Sequence, residues 1–288
     1  IYDRNKKQLN ITDISKRQDI VIRIPRELDN IGIIDGQHRV FSYHEGLDKA
    51  DKKISLLREK QHLLLTGIIY PNNIDEYKRI KFEAQLFLEI NDKQTRARAD
   101  LKQAIETIVN PYSVTAISKR ILTNLSNTGP LTGQLEEYFY DTRKIKTSSI
   151  VSYGLNHLVK FIGQDSLFSV WSNPDKSKLL DGEDRELLEL YIDYCTKKIN
   201  DFLIGFRKNI SDEMWTLDKK LSRVLTTTTI NGLINCLRKL IENNKLGDID
   251  YYNKKLKNMK INFSPIKFPY KSSHWKALGE KIYFDCFE

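Results

Sequence analysis

The chain reads as an α+β protein, with a mixed domain over residues 1–110 and a mostly helical domain over 111–288 that ends in a basic, aromatic-rich segment. Three observations predict this. Short β-branched runs that stop at Pro or Gly crowd the first third of the sequence. Beyond about residue 100 apolar side chains recur at helical spacing instead. The two regimes meet near the turn signal Asn110-Pro111.

Ile20 to Ile24 is β-branched, stops at Pro25 and predicts a strand. Ile31-Gly32-Ile33-Ile34 predicts a short buried strand that runs into Asp35-Gly36, after which Val40, Phe41 and His44 share a helical face. The charged stretch Asp48 to Lys60 predicts a loop or an exposed helix. His62 to Tyr70 predicts a strand closed by Pro71, Ile74 to Ala84 a short helix, and Leu86 to Ile90 another strand. Helical spacing then covers Leu101–Val109, Ser113–Leu125, Ile150–Phe161, Asp184–Phe206 and Leu217–Asn243. The run Thr226 to Thr229 predicts an interruption or bend in the last of these, because threonine hydroxyls compete for backbone partners. Turn residues gather at 127–133 and 173–182, which predicts the loops most open to a protease.

Composition narrows the function classes. With 40% hydrophobic and 30% charged residues in 288, the chain can bury a core, which excludes wholesale disorder and collagen-like order. No apolar run approaches the roughly 18 residues of a membrane span. Cys195, Cys236 and Cys286 are too far apart for a disulfide framework or a metal knuckle; they read as small core residues of a protein in a reducing cytoplasm. The five histidines form no close pair, so no metal is expected. The start at Ile1 reads as a trimmed chain with a piece preceding it. The 47 basic residues exceed the 38 acidic ones, and a net charge of +9 favours a polyanionic partner.

The most informative residues are Asp35, Gly36, Gln37, His38 and Arg39, where a strand candidate hands over to a helix candidate. Gly36 lets the backbone turn without a Cβ penalty. A helix start offers free N–H groups to a phosphate, and Arg39 can add a bidentate fork, with His38 as a further donor. Asp35 can cap the helix or hold a metal-bound water. The plainer alternative is that Asp35 is only an N-cap and Arg39 a surface charge.

The pentapeptide Asp35-Gly36-Gln37-His38-Arg39 resembles the signature of the DGQHR-domain family, which includes the DndB proteins of bacterial DNA phosphorothioation systems. A second block, Leu86 to Thr95, is similar to the family's Phe-x-x-Ile-Asn-x-x-Gln segment; it contains Asn91, Lys93, Gln94 and Thr95. The two blocks cover the first third, while Ser272-Ser273-His274-Trp275 is only weakly similar to the family's C-terminal region. The resemblance implies a ParB/sulfiredoxin-like first domain, double-stranded DNA as partner, and regulation of the modification genes. It also implies a nucleotide-phosphate site at the turn, taking ATP or GTP with Mg, and contact with DNA-modification proteins. Two rivals stay open at this point: a DNA-stimulated NTPase, or less readily a nuclease, of an antiphage system, and a non-catalytic scaffold. A symmetric dimer would suit a regulator.

Other polar clusters carry two readings each. Asn91 and Gln94 follow a strand candidate, where amides can read a base or sugar edge, with Lys93, Arg96, Arg98 and Lys102 as surrounding positive charge; the alternative is a polar turn and a solvated helix start. Glu83 is a general-base candidate or a plain helix-surface carboxylate. In the tail, Lys254, Lys255, Lys257 and Lys260 suit DNA phosphates, while the neighbouring aromatics suit either ring contacts with DNA or a buried docking segment.

Overall fold

A computed structural model of the chain describes residues 1–10, 14, 20–23, 31–43, 51–62, 64–71, 73–94, 98–136, 141 and 143–288. The backbone divides into two compact units, Ile1–Arg96 and Ala97–Glu288. The expected break after residue 110 would separate the helix Ala99–Val109 from Val114–Asn127, against which it packs. The protein is α+β, but helices dominate, and the sheet among the described residues has two strands.

In the first unit, β1 (Tyr2–Asp3) pairs antiparallel with β2 (Ile20–Val21), in the register Tyr2 to Val21 and Asp3 to Ile20. Three helices follow: α1 (Gln37–Phe41), α2 (Asp51–Lys60) and α3 (Glu76–Gln94). Three expected strands do not form. Residues 31–34 and the described part of 62–70 have no strand partner, and Leu64 and Leu65 stand 98% and 80% exposed. A strand without a neighbour leaves a row of unpaired amides, so an apolar run alone does not make one. The expected strand Leu86–Ile90 lies inside α3, which joins it to the expected helix before it. This segment has no Gly or Pro and is rich in Glu, Lys, Gln and Leu, so helix propensity carries through Leu86–Ile90, four apolar residues and Glu89. At its start, the Asp75 carboxylate accepts from the Lys78 N–H at 2.9 Å. Arg58 of α2 is held by an ion pair with Asp51 and donates to the Tyr43 carbonyl at 2.6 Å.

The second unit contains the hydrophobic core. It begins with α4 (Ala99–Val109) and α5 (Val114–Asn127), the latter capped by Ser113, whose hydroxyl accepts from the Ala116 N–H. A π-helical turn, Ile150–Leu155, continues directly into α6 (Asn156–Val159). After α7 (Leu167–Val170) comes the longest element, α8 (Arg185–Arg207). Its buried residues Leu187, Leu188, Tyr191, Ile192, Cys195, Ile199, Phe202, Leu203 and Phe206 recur every three or four positions, which places one apolar stripe on one face. Asp184 caps its start, accepting from the Leu187 N–H at 2.9 Å. Tyr191 packs among Phe161, Phe168 and Trp171 with ring centroids 5.0–5.9 Å away, and its hydroxyl donates to the Val159 carbonyl at 2.8 Å.

The helix expected over Leu217–Asn243 starts later, as α9 (Thr227–Glu242). The threonines form its entrance rather than a bend within it. The Thr226 hydroxyl accepts from the Thr229 N–H and donates to the Arg223 carbonyl, so it serves the free amides of a first turn. The tail folds as α10 (Ile249–Leu256) and α11 (Trp275–Phe287). The aromatics there belong mainly to the core: Tyr252 meets Phe202 at 5.1 Å, and Phe263 stacks on Phe268 at 5.6 Å. Helices α9 and α11 cross at a glycine contact. A Cβ on Gly279 would lie 2.5 Å from the Gly232 carbonyl oxygen, so only glycine permits this approach. All three cysteines are buried here, and burial pushes the Cys286 thiol up to about 12 and Cys195 and Cys236 upward as well. Among the described residues no helix is long and apolar enough to cross a membrane.

Candidate functional site

The turn Asp35–Arg39 forms because Gly36 takes a left-handed backbone conformation, with φ at 88°, which side-chain-bearing residues rarely adopt. Gly36, not Asp35, occupies the N-cap of α1, and no side chain caps the helix. The capping role considered for Asp35 is therefore corrected: its carboxylate sits beside the turn and pairs with Arg39 at 3.9 Å. That distance is long for an ion pair, and the Arg39 side chain is 75% exposed, against 29% for Asp35. The position of a Gly36 Cβ lies 3.8 Å from Arg39 Nε and Nη2, so the guanidinium lies over the bare glycine backbone. Gln37 and His38 are exposed on the same short helix. With five residues α1 has little macrodipole, so anion attraction here rests on the Arg39 fork and the first-turn amides.

The second motif lies elsewhere in the first unit. Asn91 falls in the last turn of α3, half-buried, and its amide donates to the Phe87 carbonyl at 2.8 Å. It thus lies within a helix rather than after a strand, and one donor is used within that helix. Lys93 and Gln94 end the same helix, but their side chains, with Thr95 and Arg96, lie outside the described residues. Glu83 is half-exposed on α3, 4.0 Å from Arg79, and after burial its charge is what raises the nearby Tyr70 hydroxyl.

Apart from Arg96, which ends the first unit, the basic residues expected to meet DNA are in the second unit and have unequal freedom. Arg98 closes a two-pronged contact on Asp100, at 3.1 and 2.9 Å, so its fork is engaged. Lys102 is half-buried on α4. Lys254, Lys257 and Lys260 are exposed and Lys255 half-exposed, while Tyr252, Phe263 and Trp275 are buried, so the lysines of the tail face water and these rings do not.

A further charged group had no signal in the sequence. Asp165 accepts from Arg238 through Nε at 3.1 Å and through Nη2, and from Lys160 at 3.0 Å. Arg238 also donates to Asn235 Oδ1 at 3.4 Å, and the Asn235 amide donates to the Lys276 carbonyl at 3.2 Å. Burial would raise the Asp165 carboxyl, but hydrogen bonds from Arg238 and Lys160 outweigh it and hold the group below its ordinary range. His157, exposed on α6, is lowered by desolvation and then by the charges of Arg238, Lys160 and Lys276. His157 appeared in the sequence only as a lone histidine.

Among the described residues no group of three or more His, Cys, Asp or Glu could hold a metal ion. No protein-family model, curated protein or solved structure matches this chain.

Proposed function

We propose that this chain is a DNA-binding protein of the DGQHR-domain type, similar to the DndB proteins, with a ParB/sulfiredoxin-like first domain. In this reading it regulates transcription of DNA phosphorothioate-modification genes. The Asp35–Arg39 turn receives a phosphate, from the DNA backbone or from ATP or GTP with Mg. The observation that supports it is the state of Arg39: a guanidinium held over a glycine backbone, 75% exposed, and tied to its carboxylate only at 3.9 Å. A structural ion pair would be expected to close to hydrogen-bond length. The net charge of +9 and the exposed lysines at 254, 257 and 260 add the sequence-independent attraction that duplex binding needs.

The test measures melting, duplex affinity and ATP and GTP hydrolysis on the wild type, Arg39→Ala and His38→Ala. Both variants should melt within about a degree of wild type, since neither side chain is buried. Each should weaken duplex binding at least tenfold, about 1.4 kcal/mol. Turnover of nucleotide that disappears with Arg39 would instead make the chain a DNA-stimulated NTPase. A wild type that ignores duplex at low salt would leave the scaffold reading, and full DNA binding by Arg39→Ala would remove the turn from the site.

A further inference from the structure

We propose that the second unit carries its own seat for a nucleic-acid backbone phosphate, formed by His157, Lys160, Arg238 and Lys276 around Asp165. This rests on the reading that the protein binds DNA, and adds a site that neither motif contains. Four separate segments contribute: α6 supplies His157, the turn after it Lys160 and Asp165, α9 Arg238, and α11 Lys276. Asn235 ties two of them, receiving from Arg238 and donating to the Lys276 carbonyl.

Charge arithmetic favours an anion. Lys160 and Arg238 share the Asp165 carboxylate, and Lys276 adds a third cation whose charge, with theirs, acts on His157. Asp165 fixes Lys160 and Arg238 in place, with side chains only 29% and 18% exposed, so two cations are pre-organised before any ligand arrives. His157 and Lys276 stand exposed at the edge, free to close on an oxygen. A backbone phosphodiester needs only the cations. The adjacent ring, Trp275, is 9% exposed and carries the Lys276 ammonium 5.4 Å from its centroid, so that ring offers no open face for a base to stack on.

A phosphate beside His157 would raise the imidazole from its lowered value, so binding takes up a proton and tightens as pH falls through the histidine range.

The experiment titrates a labelled duplex of about 20 base pairs with the full chain, between roughly 50 and 200 mM salt. It compares wild type, Lys160→Gln/Lys276→Gln, His157→Gln and Arg39→Ala. The double variant leaves Arg238 on Asp165. It should bind at least tenfold more weakly at moderate salt, with the slope of log affinity against log salt shallower by about 2. His157→Gln should lose the gain in affinity seen between about pH 7.5 and 6. Unchanged affinity and slope in the double variant, with Arg39→Ala defective, overturns this seat and leaves the motif reading standing. The opposite pattern supports the seat and moves DNA off the turn. A wild type that binds no duplex overturns both. Equal retention by phosphatidylserine vesicles, lost in the same double variant, overturns the assignment to nucleic acid.

Discussion

Phe41 and Phe206 have the same side chain in opposite settings. Phe41 ends a five-residue helix with 68% of its surface in water, while Phe206 is fully buried between Trp215 and Phe263. The contrast holds for the two units they belong to. Among the described residues of Ile1–Arg96 no apolar side chain is buried, and Asp3 alone is. In Ala97–Glu288 a continuous core runs from Ile117 to Phe287. The helices of the first unit therefore draw on propensity, local ion pairs and turn geometry. Those of the second draw on burial, which is the larger source of helix stability in proteins.

The largest effect should come from testing that contrast directly. Phe206→Ala should cost about 3–5 kcal/mol in denaturant unfolding, and Phe41→Ala less than about 0.5. Hydrogen exchange should show the same division. Amides of α5, α8 and α9 should exchange only through global opening, and those of α1 and α2 many times faster. Equal protection would mean that the first unit is held by something other than its own local contacts. A protease should cut first within 64–71, where Leu64 and Leu65 are exposed. The turn clusters 127–133 and 173–182 should resist longer, being pinned by the buried Leu131 and Leu179 and by the Lys176 ammonium, which donates to the Phe168 and Trp171 carbonyls at 3.0 Å.

The next effect sharpens the contrast within charged groups. Asp165→Asn should cost about 1–2 kcal/mol, since hydrogen bonds to a charged group are lost at a site that solvent partly reaches. Its folded pKa lies below the unfolded one, so the stabilisation is complete above about pH 4 and is lost as pH falls through the lowered value. The Asn variant should lose that part of the acid slope. In the first unit, the 3.9 Å pair of Asp35 with Arg39 should contribute almost nothing.

Smaller still is the cap of α9. Thr226→Ala should cost about 1 kcal/mol by thermal melting, and Thr228→Ala, which makes no cap contact, less. Smallest is Asp35→Ala, expected below about 0.5 kcal/mol now that Gly36 holds the cap position. A full kilocalorie lost there would restore the capping role.

These differences track what the sequence made legible. Helix α8 was readable at both ends because its apolar stripe and the Asp184 cap agree. Leu86–Ile90 was misread because a short apolar run has the same appearance in a strand and inside a helix, and its neighbours Glu83, Gln85 and Lys81 carry the helix through it. The threonine run signals a local disturbance of a helix but not whether it falls inside or at the start, since hydroxyls that disturb a helix interior stabilise a helix start. Of the candidate sites, the Gly36 turn was visible because one residue type sets its backbone. The seat around Asp165 was not, because Arg238 lies 73 residues further along the chain and only packing brings it there.

The buried cysteines give the second unit a chemical clock. A thiol reacts as the thiolate, and Cys195, Cys236 and Cys286 are both covered and held well above neutral pH in the folded state. Each becomes reactive only when its surroundings open, so the rate of labelling by a thiol reagent counts openings of the core. Residues 1–96 contain no cysteine, which leaves that count free of any contribution from the first unit. A population that labels at all three positions together opens as one body; one that labels at Cys286 first loosens α11 before the rest.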